Sequence, residues 1–170
     1  MKLIRVATAV AAVALLGACS PTSGTAAVVD GRVLTTTEVE NTVAGCASAI
    51  GVDKSQVNRS VIAQSLVLGR ALAPLIDGFD QMPDDQILQV GQGIGIDTTP
   101  LLANADCNEF GRAAVLTNSL LQSLGAQGVA QALADTDITV NPQYGRFDPA
   151  QATLFTSTGS LSVPAAATLK

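Results

Sequence analysis

The chain holds three cysteines, and their surroundings separate two kinds of thiol chemistry. Cys19 closes the stretch Leu16-Gly17-Ala18-Cys19, with Leu three residues ahead of the thiol and only small residues between. That spacing reads as a lipobox. The Cys19 thiol is expected to take a diacylglyceryl group, and cleavage just before it makes Cys19 the first mature residue. Two or more acyl chains anchor stably, whereas one binds marginally and reversibly. The residues ahead of it agree. Lys2 and Arg5 form a short basic region, and Val6 to Leu16 is an apolar run of about eleven residues, too short to span a bilayer core.

Cys46 and Cys107 remain once Cys19 is acylated. An even pair outside the cytoplasm predicts a disulfide, and two buried free thiols are the alternative. The bridge would close a loop of about 60 residues, on the order of 4 kcal/mol in the chain-entropy account. Two cysteines in a chain without histidine do not supply the four N or S ligands of a closed zinc site.

The lack of histidine also excludes Ser-His-Asp and Cys-His catalysis. A Ser-Lys dyad would have to use Lys54, at a helix start, or Lys170, at the terminus. Gly91-x-Gly93-x-Gly95 lacks the preceding strand and following helix of a dinucleotide loop, so it reads as a helix end running into a turn. Asp84-Asp85 follow Pro83 and suit the positive end of a helix. Asp135 and Asp137 are turn residues without the Gly and terminal Glu of a calcium loop. No catalytic residue, no metal ligand and no cofactor is expected. Ligand-binding residues are unknown at this level.

Charge narrows the partners. Lys2 and Arg5 leave with the signal peptide, so the mature chain keeps seven basic and fourteen acidic side chains, a net charge of −7. With no Lys/Arg cluster it lacks the footprint of a nucleic-acid binder. It also lacks a polybasic strip for anionic lipid heads, which leaves membrane attachment to the acyl group.

The elements follow from pattern. Ala26 to Val29 reads as a strand closed by the turn dipeptide Asp30-Gly31, with Val33-Leu34 continuing extended. Thr35 and Glu38 have capping-box spacing, and Val39, Val43 and Cys46 share a face of a helix that ends near Gly51. A second, central helix is expected from Asp53 or Ser55, burying Val57, Val61, Leu68, Leu72 and Leu75, with Ile62, Leu66 and Ile76 widening the stripe. Pro74 would kink or end it. A third helix follows Pro83, and Thr99-Pro100 opens a short turn of helix. The longest helix is expected from Asp106, with Glu109 as its cap-like partner, to about Ala134. It would bury Cys107, Phe110, Ala114, Leu121 and Leu124, with Gly125 and Gly128 weakening its second half. Ile138 to Val140 is a second strand, stopped by Asn141-Pro142. Beyond Asp148 the chain is rich in Ala, Thr and Ser and holds too few large apolar groups to build a core.

Two segments carry a family likeness. Val28-Val29-Asp30-Gly31-Arg32-Val33-Leu34-Thr35 with Glu38-Val39 resembles the opening of the SurA/trigger-factor-type chaperone domain. Ile138-Thr139-Val140-Asn141-Pro142-Gln143-Tyr144-Gly145 resembles the segment that returns to pair with that opening, apart from Gln143, where a basic residue is expected. The lipobox and acidic chain are similar to SurA-N-like lipoproteins of high-GC Gram-positive bacteria. The chain has neither the room nor the histidine pair for the parvulin isomerase domain that SurA and PrsA carry.

The resulting expectation is a mostly α domain of four to five helices, with a small two-stranded sheet joining 26–29 to 138–140. Residues 1–18 would be signal peptide, 19–25 tether, 26–148 the SurA N-like domain and 149–170 a flexible tail. The resemblance implies a lipid-anchored, extracytoplasmic, non-catalytic chaperone. Its partners would be the membrane through Cys19 and unfolded exported proteins, with no nucleic acid. The wide stripe of the central helix would be core or a partly open client groove. An envelope scaffold with one specific partner, or a carrier of small hydrophobic ligands, are the alternative functions.

Overall fold

A computed structural model describes residues 24–149 and 155–156. The lipobox with Cys19, the tether before residue 24 and the remaining residues after 149 lie outside the described residues.

The chain enters as a hairpin. β1 (Thr25–Val29) turns at Asp30-Gly31 into β2 (Arg32–Thr35), and both turn residues have positive φ, 46° and 76°. Aspartate and glycine tolerate that conformation best, and it matches the twist of the flanking strands. Five helices follow: α1 (Thr36–Ile50), α2 (Arg59–Leu72), α3 (Asp84–Gly93), the single turn α4 (Thr99–Leu102) and α5 (Asn108–Ala132). β3 (Ile138–Val140) then returns to pair antiparallel with β1, Ala27 opposite Val140 and Val29 opposite Ile138. The sheet order is β2-β1-β3. The domain is thus mostly α with a small sheet joining the two ends of its chain. The expected two-stranded sheet has a third strand, because Val33-Leu34 folds back on β1 instead of merely leading into α1. A separate two-stranded ribbon joins β4 (Arg146–Phe147) to β5 (Phe155–Thr156), the latter within the stretch expected to be tail.

α1 starts as its sequence requires. The Glu38 amide donates to the Thr35 hydroxyl at 3.1 Å, and the Glu38 carboxylate accepts from the Thr35 amide at 2.7 Å. Such caps contribute about 1 kcal/mol. Val39, Val43 and Cys46 are buried, and Gly51 ends the helix at φ 71°.

The second helix differs from expectation. Asp53 caps only one 3-10 turn, Lys54–Gln56, and Asn58 then caps α2 through the Ser60 and Val61 amides. The buried face is Ile62, Ala63, Leu66, Val67 and Leu72, while Val61 and Leu75 stand half exposed. The residues judged to widen the stripe are largely its centre. The reason is size: Ala63, Gly69 and Ala71 are buried inward positions, with α5 pressing close at Gly69, a signal that a count of large apolar residues misses. A Cβ on Gly69 would fall 2.5 Å from Ala113 Cβ of α5.

α5 also departs. Asn104, not Asp106, caps its approach, with Oδ1 accepting from the Asp106 and Cys107 amides at 3.0 and 3.3 Å. The helix buries Gly111, Ala113, Val115 and Leu116, then leaves the core. Leu121 and Leu124, expected inside, are 37% and 52% exposed. Gly125 breaks the helix at φ 70°, ψ 172°, and re-registers it so that Val129 and Leu133 return to the core. Each fully buried aliphatic side chain contributes about 1.5–3 kcal/mol of burial.

Candidate functional site

The two cysteines expected to pair are brought together. Cys46 of α1 and Cys107, just ahead of α5, form a disulfide with Cα atoms 4.8 Å apart, both sulfurs deep in the core. A buried staple of that kind offers no reactive thiol. Cys19 lies outside the described residues.

The polar residues weighed for chemistry sit in structural settings. Lys54 pairs with Glu40 at 2.9 Å, and Arg59 pairs with the same carboxylate. The hydrogen bond from Lys54 lowers Glu40 most; burial opposes it, and Arg59 adds to Lys54, so the carboxyl lies below the usual carboxylate range. Asp84 receives Arg112 Nη1 and Asn108 Nδ2, each at 2.7 Å. Gly91 packs under Val115 at the end of α3, and Gly95 ends the turn at φ 80°. Asp137 accepts from the Asp30 amide through its carbonyl and donates its own amide to Asp30 Oδ1. Among the described residues no group of three or more His, Cys, Asp or Glu could hold a metal.

Three surfaces remain. The first is a cleft of about 320 Å³ over the α2–α5 crossing, floored by Gly69 and Ala113 and walled by Arg32, Arg70, Glu109 and Arg112. Arg70, 19% exposed, reaches Glu109 of α5, Glu38 of α1 and the Val33 carbonyl of β2. Burial pulls its guanidinium down, but the two carboxylates outweigh burial and hold it above its ordinary value. Burial likewise pushes Glu38 up, and the Thr35 hydroxyl and amide together with Arg70 bring it below the carboxylate range. Arg112, 16% exposed, donates to Asp84 and to the Phe79 carbonyl at 2.8 Å and sits 5.4 Å from the Phe79 ring centre. Two of the three arginines are thus committed to carboxylates. The cleft is a polar lock between helices and carries no excess positive field.

The second surface is the outer side of β3. A groove of about 500 Å³ runs between β3 and the segment Gly145–Phe147. Asn141 and Gln64 fix it: Asn141 Nδ2 donates to the Thr25 carbonyl at 3.0 Å, and Gln64 Nε2 of α2 donates to the Tyr144 carbonyl at 2.8 Å.

The third is aliphatic. Val90 of α3 (40% exposed) and Leu121 and Leu124 of α5 face solvent on two helices tied by a hydrogen bond from Gln122 to the Ile94 carbonyl. Sequence reasoning missed the exposure of Leu121 and Leu124 because their spacing is that of a core stripe. The usable signal was Gly125, since a glycine inside a helix marks a place where the helix can leave its register. Arg70 and Arg112 were missed as well, although Arg112 is the lone cation of α5 and Arg70 the only one in α2 beyond its first residue, Arg59.

No family model, no curated protein and no solved structure matches the chain. Among the described residues no helix is long and apolar enough to cross a membrane.

Proposed function

We propose that this chain is a lipid-anchored, extracytoplasmic, chaperone-like protein that binds unfolded or partly folded exported polypeptides and catalyses no reaction. The single observation that carries this reading is the exposure of Leu121 and Leu124, three positions apart on α5. These two large apolar side chains stay exposed where α5 leaves the core, and among the described residues the polar clusters around Arg70 and Arg112 are tied up in ion pairs. Grouped apolar exposure of this kind marks surfaces that meet other chains. The SurA-N-like resemblance of Val28–Thr35 and Ile138–Gly145, and the lipobox at Cys19, support the same reading and a lipid-anchored location on the extracytoplasmic face of the cell membrane. A carrier of small hydrophobic ligands would want an apolar cavity, whereas the charged Arg32, Arg70, Glu109 and Arg112 wall the cleft over the α2–α5 crossing.

The test is an array of unfolded-protein peptides probed with the purified chain and with Leu121→Ser/Leu124→Ser. Binding to many apolar peptides that the double variant loses supports the proposal. Binding to none, with the fold intact by circular dichroism, removes it.

A further inference from the structure

β3 is an edge strand whose free side is prepared for another strand. The Asn141 amide donates to the Ala26 carbonyl and the Asp30 amide to the Asp137 carbonyl, both at 2.8 Å. In an antiparallel ladder, hydrogen-bonded and non-hydrogen-bonded pairs alternate. With Ala27 opposite Val140 and Val29 opposite Ile138, the bonded pair between those ends is Val28 and Thr139. The N–H and C=O groups of Ile138 and Val140 therefore point away from β1, into the groove walled on its far side by Gly145–Phe147. They have no hydrogen-bond partner among the described residues. The side chains of Ile138 and Val140 pack toward the core, so the strand is held rigid while its outer backbone stays open.

An open row of donors and acceptors is a template for strand addition. β3 is short, three residues, and carries no charge, proline or bulge within Ile138–Val140, so its protection is limited to its length and to the neighbouring Gly145–Phe147 segment. The charged side chain lining the groove is Arg146, exposed and without an ion-pair partner among the described residues.

The geometry points to β3 as a second recognition element for client chains, beside the exposed Leu121 and Leu124. An extended polypeptide segment adds antiparallel or parallel to its free edge, read through main-chain hydrogen bonds, with an acidic side chain of the segment set against Arg146. The inference rests on the polypeptide-binding reading and deepens it. Main-chain recognition accepts many sequences, as a chaperone requires, and Arg146 adds a local bias toward one acidic side chain at its position, against the net negative charge of the chain.

The test uses the full chain, purified in detergent, and a labelled ten-residue peptide alternating valine and threonine with one central glutamate. A twin peptide is N-methylated at four consecutive central residues, which removes its ladder donors on both edges. Fluorescence anisotropy reads affinity, and residue-resolved amide exchange reads the site. We expect the first peptide to bind and to slow exchange at Ile138 and Val140 by tenfold or more, with Thr139 already protected in the free chain. N-methylation should weaken binding on the order of tenfold or more, a factor that corresponds to about 1.4 kcal/mol. Arg146→Glu, an exposed substitution that leaves β3 intact, should weaken the glutamate peptide several-fold and spare a lysine counterpart. Binding without new protection at Ile138 and Val140 overturns the inference and leaves the polypeptide-binding reading standing. So does suppression of client aggregation by a chain that binds neither peptide. Protection already present in the free chain and lost on deleting residues 157–170 makes the chain's own C-terminal segment the occupant, which also overturns it. Failure of both peptide binding and aggregation suppression removes the inference together with the reading beneath it.

Discussion

Arg70 of α2 and Glu109 of α5 meet in a two-point ion pair, Nε 2.8 Å from Oε1 and Nη2 3.3 Å from Oε2. The same guanidinium also reaches Glu38, at the start of α1, and the Val33 carbonyl of β2. One side chain thus ties two helices and the N-terminal hairpin to α2. Its side chain is mostly buried, but both carboxylates are about half exposed, so the pair belongs between the surface and the buried class. Arg70→Met should destabilise the domain by about 1–2 kcal/mol in urea unfolding. A double-mutant cycle with Glu109→Gln should return a coupling above 0.5 kcal/mol in magnitude, roughly the bound above which neighbouring residues interact. Additive single effects would mean the pair is solvent-screened.

Acid sensitivity follows from the carboxylates. Glu38 and Glu40 are held below their ordinary values in the folded chain, as are the exposed capping residues Asp53 and Asp97 through Ser55 and Thr99. The folded state then binds fewer protons than the unfolded state in the acidic range, so stability rises with pH there. The contribution is complete above the ordinary carboxylate range and is lost as pH falls through the lowered values. With no histidine in the chain, the melting temperature should be flat between about pH 5.5 and 8 and drop below about 4.5. Glu38→Gln should flatten part of that acid limb in thermal scans, and an unchanged limb would contradict the assignment.

The disulfide spans 61 residues between Cys46 and Cys107. Reduction, or the double substitution to alanine, should cost about 4 kcal/mol by the loop-entropy account. Thiol labelling of the denatured, non-reduced mature chain should find neither cysteine free, and stoichiometric labelling would contradict the pairing.

Helix contact at Gly69 can be checked by compensation. Gly69→Ala drives a Cβ to 2.5 Å from Ala113 Cβ, closer than real side chains approach, so α2 and α5 must part. The expected loss is about 1–3 kcal/mol. Adding Ala113→Gly removes the clash and should recover more than half of it. No recovery would mean that the strain at Gly69 arises elsewhere.

Anchoring makes its own prediction. Cys19→Ala removes the only thiol in the lipobox and should move the protein from the membrane fraction to the soluble fraction of the envelope. Retention on membranes without acylation would overturn the lipobox reading.

Much of the fold was legible because it rests on strong local signals. Asp30-Gly31 demanded a tight turn, Thr35 and Glu38 a helix start, Gly51 a helix end and Pro83-Asp84 the start of α3. The pairing of β1 with β3 was carried by resemblance, since nothing local joins residues more than a hundred positions apart. What failed was the direction of faces. Large apolar residues drew the expected stripe of α2 toward Val61 and Leu75, whereas the core side is set by Ala63, Gly69 and Ala71, which let helices approach. The same error put Leu121 and Leu124 inside. The candidate surfaces were the least legible part. An edge strand and an ion-pair lock are defined by what lies beside them in space, which spacing along the chain does not encode.

The central claim is that the chain holds unfolded exported polypeptides, and its most direct test is aggregation suppression. Light scattering of a thermally or chemically unfolded client would be followed with the purified chain at increasing ratios, beside Leu121→Ser/Leu124→Ser. The account predicts suppression near equimolar ratio by the wild-type chain and its loss in the double variant. Unchanged client aggregation at several-fold excess of folded wild-type chain would contradict it.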